Sequence, residues 1–114
     1  KGNDYLFADA DQTAAVTNGA AVVVTGLDAA AIHAAVAAFA VGEKGGEARE
    51  VLDLSGVFVI RTPRARFPNG VSYWIEPGSE GTRVSLYSWS VYGRRDFGVN
   101  EAYVKALAAR LGQL

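Results

Sequence analysis

The sequence predicts an α+β fold, in which an antiparallel sheet of about five strands carries two helices on one face. The predicted elements follow the order strand, helix, four strands, helix. Most connections have the length of a hairpin, which favours antiparallel pairing. Both helical segments carry one apolar stripe, as expected of helices that cover one layer of sheet.

A single domain accounts for the length of the chain. It has 114 residues, of which half are hydrophobic and one fifth are charged, as is typical of a globular protein. Residues 1–18 are predicted to be an irregular, polar N-terminal lead-in because polar residues interrupt every periodic pattern there. Residues 19–114 are predicted to form the single α+β domain.

The first strand and helix have clear local signals. Residues 20–25 form a β-rich run after the turn signal Asn18-Gly19. Asp28 can accept hydrogen bonds from the first turn of a helix predicted over residues 29–40. His33 lies one residue away from the apolar stripe and is interpreted as a boundary residue satisfied by water or backbone, with catalysis or metal ligation as the alternative. The stripe consists of Ile32, Ala35, Val36 and Phe39.

The rest of the chain predicts four strands and a final helix. The strands are expected at residues 47–54, 57–62, 71–76 and 83–91. Ser55-Gly56 and residues 63–70 are expected to be turns, and Val41–Arg49 a flexible loop. Asn100 is predicted to cap a helix over residues 101–111.

Alternation in the last two strands separates an aromatic side from a mixed side. Tyr87 and Trp89 share one side of their strand, and Trp74 belongs with them if Val84 and Leu86 face the helices. An exposed aromatic side could bind a ligand or a partner. The alternative is that the N-terminal segment or a second copy covers it. Because the last strand has serines on its mixed side, the pattern does not decide which side of the strand faces the helices.

Charged residues cluster at two predicted turns. Arg61, Arg64 and Arg66 flank the first, and guanidinium groups pair well with carboxylates or phosphates. The alternative is a solvated loop. Arg94, Arg95 and Asp96 lie in the second turn. Asp96 is a candidate for acid–base chemistry, or else a structural partner of backbone N–H groups or arginines.

Composition limits the classes of function. With 11 basic and 12 acidic residues, the chain has a net charge of −1, which argues against nucleic-acid binding. It has no Cys and one His, so thiol chemistry is excluded and an imidazole zinc site is not expected. No stretch reaches the roughly 18 to 20 apolar residues of a membrane span.

Two motifs resemble the bacterial domain-of-unknown-function 1499 family. The first consists of Asp96-Phe-Gly-Val-Asn100, preceded by Ser88, Ser90 and Gly93, where Phe97 stands in place of the family's Leu. The second consists of Arg61-Thr62, Phe67-Pro68 and Val71-Ser72. This chain departs from the family pattern at four further positions, namely Asn69, Trp89, Val91 and Arg95.

The resemblance implies a location but no reaction, because the family has no established activity to transfer. Its members often carry an N-terminal membrane segment or a lipoprotein signal. The resemblance therefore implies a domain in the bacterial cell envelope, in the periplasm, anchored to the membrane through a segment upstream of Lys1. A cytoplasmic location stays open.

The preferred hypothesis is a non-catalytic module that binds a small ligand or a protein partner. Alternatives are a small enzyme that uses Asp96 with nearby arginines, and a scaffold domain of a membrane assembly. No cofactor and no metal are expected, and membrane contact is expected only through the upstream segment. The predicted binding residues are Arg61, Arg66, Trp74, Tyr87, Trp89, Arg94, Arg95, Asp96 and Asn100.

Overall fold

The computed structural model describes residues 19–63, 66–90 and 98–113, so the predicted lead-in at residues 1–18 lies outside the described residues. The strands are β1 (Gly19–Thr25), β2 (Glu47–Leu52), β3 (Ser55–Arg61), β4 (Pro68–Gly78) and β5 (Gly81–Ser90). The helices are α1 (Ala29–Ala37), which continues as a π-helical turn (Ala38–Glu43), and α2 (Val99–Gln113).

The five strands form one sheet in the order β1-β5-β4-β3-β2. Every neighbouring pair is antiparallel. Among the strands of the described residues, β1 and β2 lie at the two edges, and β4 and β5 are joined by a tight hairpin. The predicted α+β architecture, with its order of elements, is confirmed.

The hydrophobic core lies between the sheet and the two helices. We call this side of the sheet the helix face. From α1 and its π-helical turn it receives Ile32, Val36 and Phe39, which is the predicted stripe, with Ala35 only half-buried. The strands contribute Phe58, Ile60, Val71, Tyr73, Ile75, Val84 and Leu86, and α2 contributes Tyr103, Val104, Leu107 and Leu111.

The start of α1 is confirmed, but its end differs from the prediction. The Asp28 side chain accepts a 2.9 Å hydrogen bond from the Ala31 N–H, as an N-cap should. Beyond Ala37 the chain continues in a π-helical turn, where a flexible loop was expected from Val41. Arg110 of α2 forms a bidentate pair with the carboxylate of Glu43 in this turn, which ties the two helical segments together.

The predicted turn at Ser55-Gly56 is wrong, and the predicted turn over residues 63–70 ends earlier than expected, because β4 already begins at Pro68. Gly56 lies inside β3, where a Cβ would come within 2.5 Å of the Tyr73 hydroxyl oxygen. Gly70 lies inside β4, where a Cβ would come within 2.5 Å of Cε2 of Trp89. Both glycines make room for a large side chain on a neighbouring strand.

Helix α2 lies along β1 and holds it at both ends. A Cβ on Gly19 would meet the Asn100 carbonyl oxygen at 2.6 Å, so the start of the strand packs closely against the start of the helix. The Thr25 hydroxyl donates a 3.0 Å hydrogen bond to the Leu111 carbonyl. Neither helix in the described segments has the length and apolar character needed to cross a membrane.

Candidate functional site

The face of the sheet opposite the helices carries three aromatic side chains, Trp74, Tyr87 and Trp89. We call it the aromatic face. All three side chains are half-buried, whereas Val84 and Leu86, on the helix face, are fully buried. The sequence pattern did not decide which side of β5 faces the helices. The described helices pack on the side of Val84 and Leu86, so the three aromatic side chains lie on the opposite side.

The strand register places a small residue opposite each aromatic ring. Trp74 pairs with Ser85, and Trp89 pairs with Gly70. Between them, Tyr87 pairs with Ser72. Because Tyr87 lies two residues beyond Ser85 on β5, it is a diagonal neighbour of Trp74, within the reach of large side chains. The three rings therefore form a staggered row across β4 and β5.

The indole of Trp89 lies across the backbone of Gly70. The closest atoms to a Cβ built on Gly70 all belong to this indole ring. An aromatic ring that covers a glycine on the neighbouring strand is held in position by that contact. Trp89 therefore presents a fixed surface rather than a freely rotating side chain.

Arg61 lies at one end of the aromatic face. It ends β3, two residues beyond Val59, which pairs with Gly70 beneath the Trp89 ring. Its side chain is exposed, and in the described part of the chain it forms no ion pair. An anionic group bound over the rings at this end would lie near the guanidinium group.

Arg66 lies in the loop beyond Arg61. It is exposed, and its φ of 60° is uncommon for a residue other than glycine. The loop is closed by a 2.9 Å hydrogen bond from the Arg66 N–H to the Thr62 carbonyl, and the Phe67 N–H donates to the Thr62 hydroxyl at 3.0 Å. Arg64, Arg94, Arg95 and Asp96 lie outside the described residues.

Asn100 was predicted to cap the last helix, and this prediction is wrong. It belongs to the first turn of α2 and is fully buried. The Ser88 hydroxyl donates to its side-chain oxygen at 2.6 Å, and its amide donates to Ser90 at 3.1 Å. Ser90 in turn donates to the side-chain oxygen of Asn69 at 3.2 Å. This polar network, in which only Ser90 is half-buried, therefore lies on the helix face, on the side of the sheet opposite the tryptophans.

Sequence reasoning missed the role of Asn69, although a signal was present. Ser88 and Ser90 alternate with Tyr87 and Trp89, so they follow Val84 and Leu86 onto the helix face. Buried hydroxyls need hydrogen-bond partners. The sequence offers Asn69 on the neighbouring strand and Asn100 at the start of the last helix as such partners.

His33 also has a partner that the sequence did not indicate. Its Nδ1 lies 2.6 Å from the Tyr73 hydroxyl, and its Nε2 lies 2.8 Å from the Asp53 carbonyl oxygen. A carbonyl oxygen only accepts, so Nε2 donates and Nδ1 of the neutral ring accepts from Tyr73. Burial raises the pKa of the Tyr73 hydroxyl to about 12, so this hydroxyl keeps its proton. The interpretation of His33 as a boundary residue held by its surroundings agrees with this geometry.

No group of three or more metal-binding side chains comes together within residues 19–63, 66–90 and 98–113.

Comparisons with known proteins identify a family and nothing narrower. The family model described as "Protein of unknown function (DUF1499)" matches residues 8–111 and confirms the resemblance that the two motifs indicated. No curated protein matches the chain. No solved structure matches it either.

Proposed function

We propose that this chain, which belongs to the DUF1499 family of proteins of unknown function, is a non-catalytic binding module whose aromatic face holds the apolar part of a ligand. The observation that carries the proposal is the register of Trp74, Tyr87 and Trp89, each beside a small residue on the face opposite the two described helices. Arg61 at the end of this face suits a ligand that also has an acidic group.

Aromatic side chains are well suited to this role. They offer a large contact area at a small loss of conformational entropy, and they bind rings through stacked or edge-to-face contacts. The Trp89 ring is already held by Gly70, so binding would not have to order it. Of the two serines that pair with these rings, Ser72 is buried and Ser85 is half-buried, so Ser85 is the one whose hydroxyl could contact a ligand.

The described residues give less support to catalysis. Ser88 is fully buried and its hydroxyl is used by Asn100, so it is not an available nucleophile. Both ring nitrogens of His33 are engaged, by Tyr73 and by Asp53. The enzyme hypothesis therefore depends on Asp96, which lies outside the described residues.

The proposal includes a place in the bacterial cell envelope. It follows from the resemblance to the family, because members of that family often carry a membrane segment or a lipoprotein signal. In the periplasm a domain with this aromatic face would meet small amphiphilic molecules or partner proteins. The scaffold alternative uses the same location with a protein as the bound partner.

A probe with an aromatic body and one acid group tests the proposal. We would titrate 8-anilinonaphthalene-1-sulfonate into the ¹⁵N-labelled chain and follow backbone amide shifts. The expected result is a saturable response of the amides of β4 and β5 around Trp74 and Trp89, with weaker binding in Trp74→Ala and in Arg61→Gln.

Val41→Ala provides the matched control, since Val41 is 44% exposed and lies in the π-helical turn, away from this face. The control should bind like the native chain. Near-ultraviolet circular dichroism verifies that each variant stays folded. Amide shifts that cluster elsewhere, or equal binding by Trp74→Ala and Val41→Ala, would refute the proposal.

A further inference from the structure

The two edges of the sheet differ in how they are protected. The β2 edge carries Glu47, Arg49 and Glu50, and its pairing with β3 is interrupted at Arg49 by a bulge. Charges and bulges are common means of preventing another strand from pairing with a sheet edge. The β2 edge is therefore built to stay unpaired.

The β1 edge has none of these features. Its sequence, Gly-Ala-Ala-Val-Val-Val-Thr, contains no charged residue and no proline. All seven residues pair with β5 without a bulge. In the described part of the chain, its outer side forms no backbone hydrogen bond to another segment. Val22 and Val24 are 60% and 63% exposed. An uncharged, regular edge of this kind is a template for another strand.

Helix α2 makes this edge rigid. Gly19 packs against the Asn100 backbone at one end, and Thr25 is hydrogen-bonded to Leu111 at the other. The strand is therefore already extended and positioned before a partner arrives, which reduces the entropy cost of pairing.

We propose that β1 is a homodimer interface, at which β1 of a second copy pairs antiparallel with it about a two-fold axis near Val22. This register places Val24 opposite Ala20 of the second copy and Val23 opposite Ala21, so large side chains meet small ones. No like charges face each other along the strand, as a self-complementary interface requires.

The pairing would join two five-stranded sheets into one sheet of ten strands. A two-fold axis perpendicular to the sheet keeps the helices of both copies on one side. The two aromatic faces then lie side by side on the other side, with Val22 and Val24 of both copies between them. The second copy pairs through the backbone edge, so the dimer does not depend on the proposed ligand.

The experiment is a measurement of molar mass in solution. Sedimentation equilibrium of the 114-residue chain, at concentrations up to about 1 mM so that even millimolar affinity is detected, is expected to give a dimer. Val22→Lys is expected to give a monomer, since a lysine opposes edge pairing. Val51→Lys, at a 49% exposed position on the β2 edge, is the matched control and is expected to stay dimeric.

Hydrogen exchange supplies an independent readout. Outward-pointing amides of β1 are expected to be protected in the native dimer and to exchange rapidly in Val22→Lys. If Val22→Lys does not fold, Val24→Lys replaces it, because Val24 is equally exposed. A native chain that is monomeric throughout, or a dimer that is lost in Val51→Lys and kept in the β1 variants, overturns the proposal.

Discussion

The hydroxyl of Ser88 donates a 2.6 Å hydrogen bond to the side-chain oxygen of Asn100, and both residues are fully buried. The contact joins the last strand of the sheet to the first turn of the last helix, on either side of residues 91–97. The same Asn100 side chain also donates to Ser90. The family motif residues Ser88, Ser90 and Asn100 thus form a buried connection between sheet and helix.

Removing the Asn100 side chain should destabilise the fold strongly. Asn100→Ala leaves the fully buried Ser88 hydroxyl without its partner, whereas Ser90 keeps its hydrogen bond to Asn69, and an unsatisfied buried hydroxyl has a substantial desolvation cost. We expect the free energy of unfolding to fall by about 2 to 3 kcal/mol, measured by urea denaturation. The neighbouring Glu101→Ala, which removes only the exposed ion pair with Lys105, should change it by less than about 1 kcal/mol. Equal stability of the two variants would contradict the role of the network.

The tautomer of His33 follows from its two contacts. Nε2 faces the Asp53 carbonyl, so the neutral ring should carry its proton on Nε2 and accept from Tyr73 at Nδ1. Long-range ¹H–¹⁵N correlation spectra at neutral pH measure this directly. Tyr73→Phe should shift the Nδ1 resonance while leaving Nε2 nearly unchanged. A ring protonated on Nδ1 in the native chain would rule out this hydrogen-bond arrangement.

Tyr73 should make the fold sensitive to alkaline pH. Burial raises the pKa of its hydroxyl from 10 to about 12, so above pH 10 the unfolded chain loses this proton before the folded chain does. The stabilisation is fully present below pH 10 and is lost as the pH rises through about 12. Urea denaturation between pH 8 and about pH 11 should give a steeper decline for the native chain than for Tyr73→Phe.

Some alkaline sensitivity should persist in Tyr73→Phe, because burial also raises the pKa of Tyr103. The quantity to compare is therefore the slope of the free energy of unfolding against pH, in the native chain and in Tyr73→Phe. Parallel curves for the native chain and the variant would mean that Tyr73 does not contribute to the alkaline transition.

A methyl group at position 70 should displace the Trp89 ring. In Gly70→Ala the new Cβ would lie 2.5 Å from Trp89 Cε2, so the indole or the strand must move, at a cost of about 1 to 3 kcal/mol. Gly42→Ala is the control, because nothing lies within 4 Å of a Cβ there. The near-ultraviolet circular dichroism spectrum should change only in Gly70→Ala, and urea denaturation should show a loss of stability only in that variant, since alanine in the helical turn at position 42 does not destabilise it. A Gly70→Ala chain with native spectrum and stability would show that the close contact is not required.

Part of the candidate site could be predicted from the sequence. The two-residue period of a strand put Tyr87 and Trp89 on one side of β5, and this alternation is local. The period alone did not predict which side of β5 the helices cover, because Ser88 and Ser90 are polar. In the structure, Asn100 lies on a helix that packs on β5 and forms hydrogen bonds with both serines, so their side is the one that faces the helices.

The sequence by itself determined the elements, their order and the class of fold, since hydrophobic periodicity, the Asp28 cap and short connections act within a few residues. The tertiary structure alone decided the roles of Gly56 and Gly70, which resemble turn residues yet lie inside strands. The physical reason is that their neighbours, Tyr73 and Trp89, are distant in sequence and adjacent only across the sheet. Close packing between strands overrides the local preference of glycine for turns.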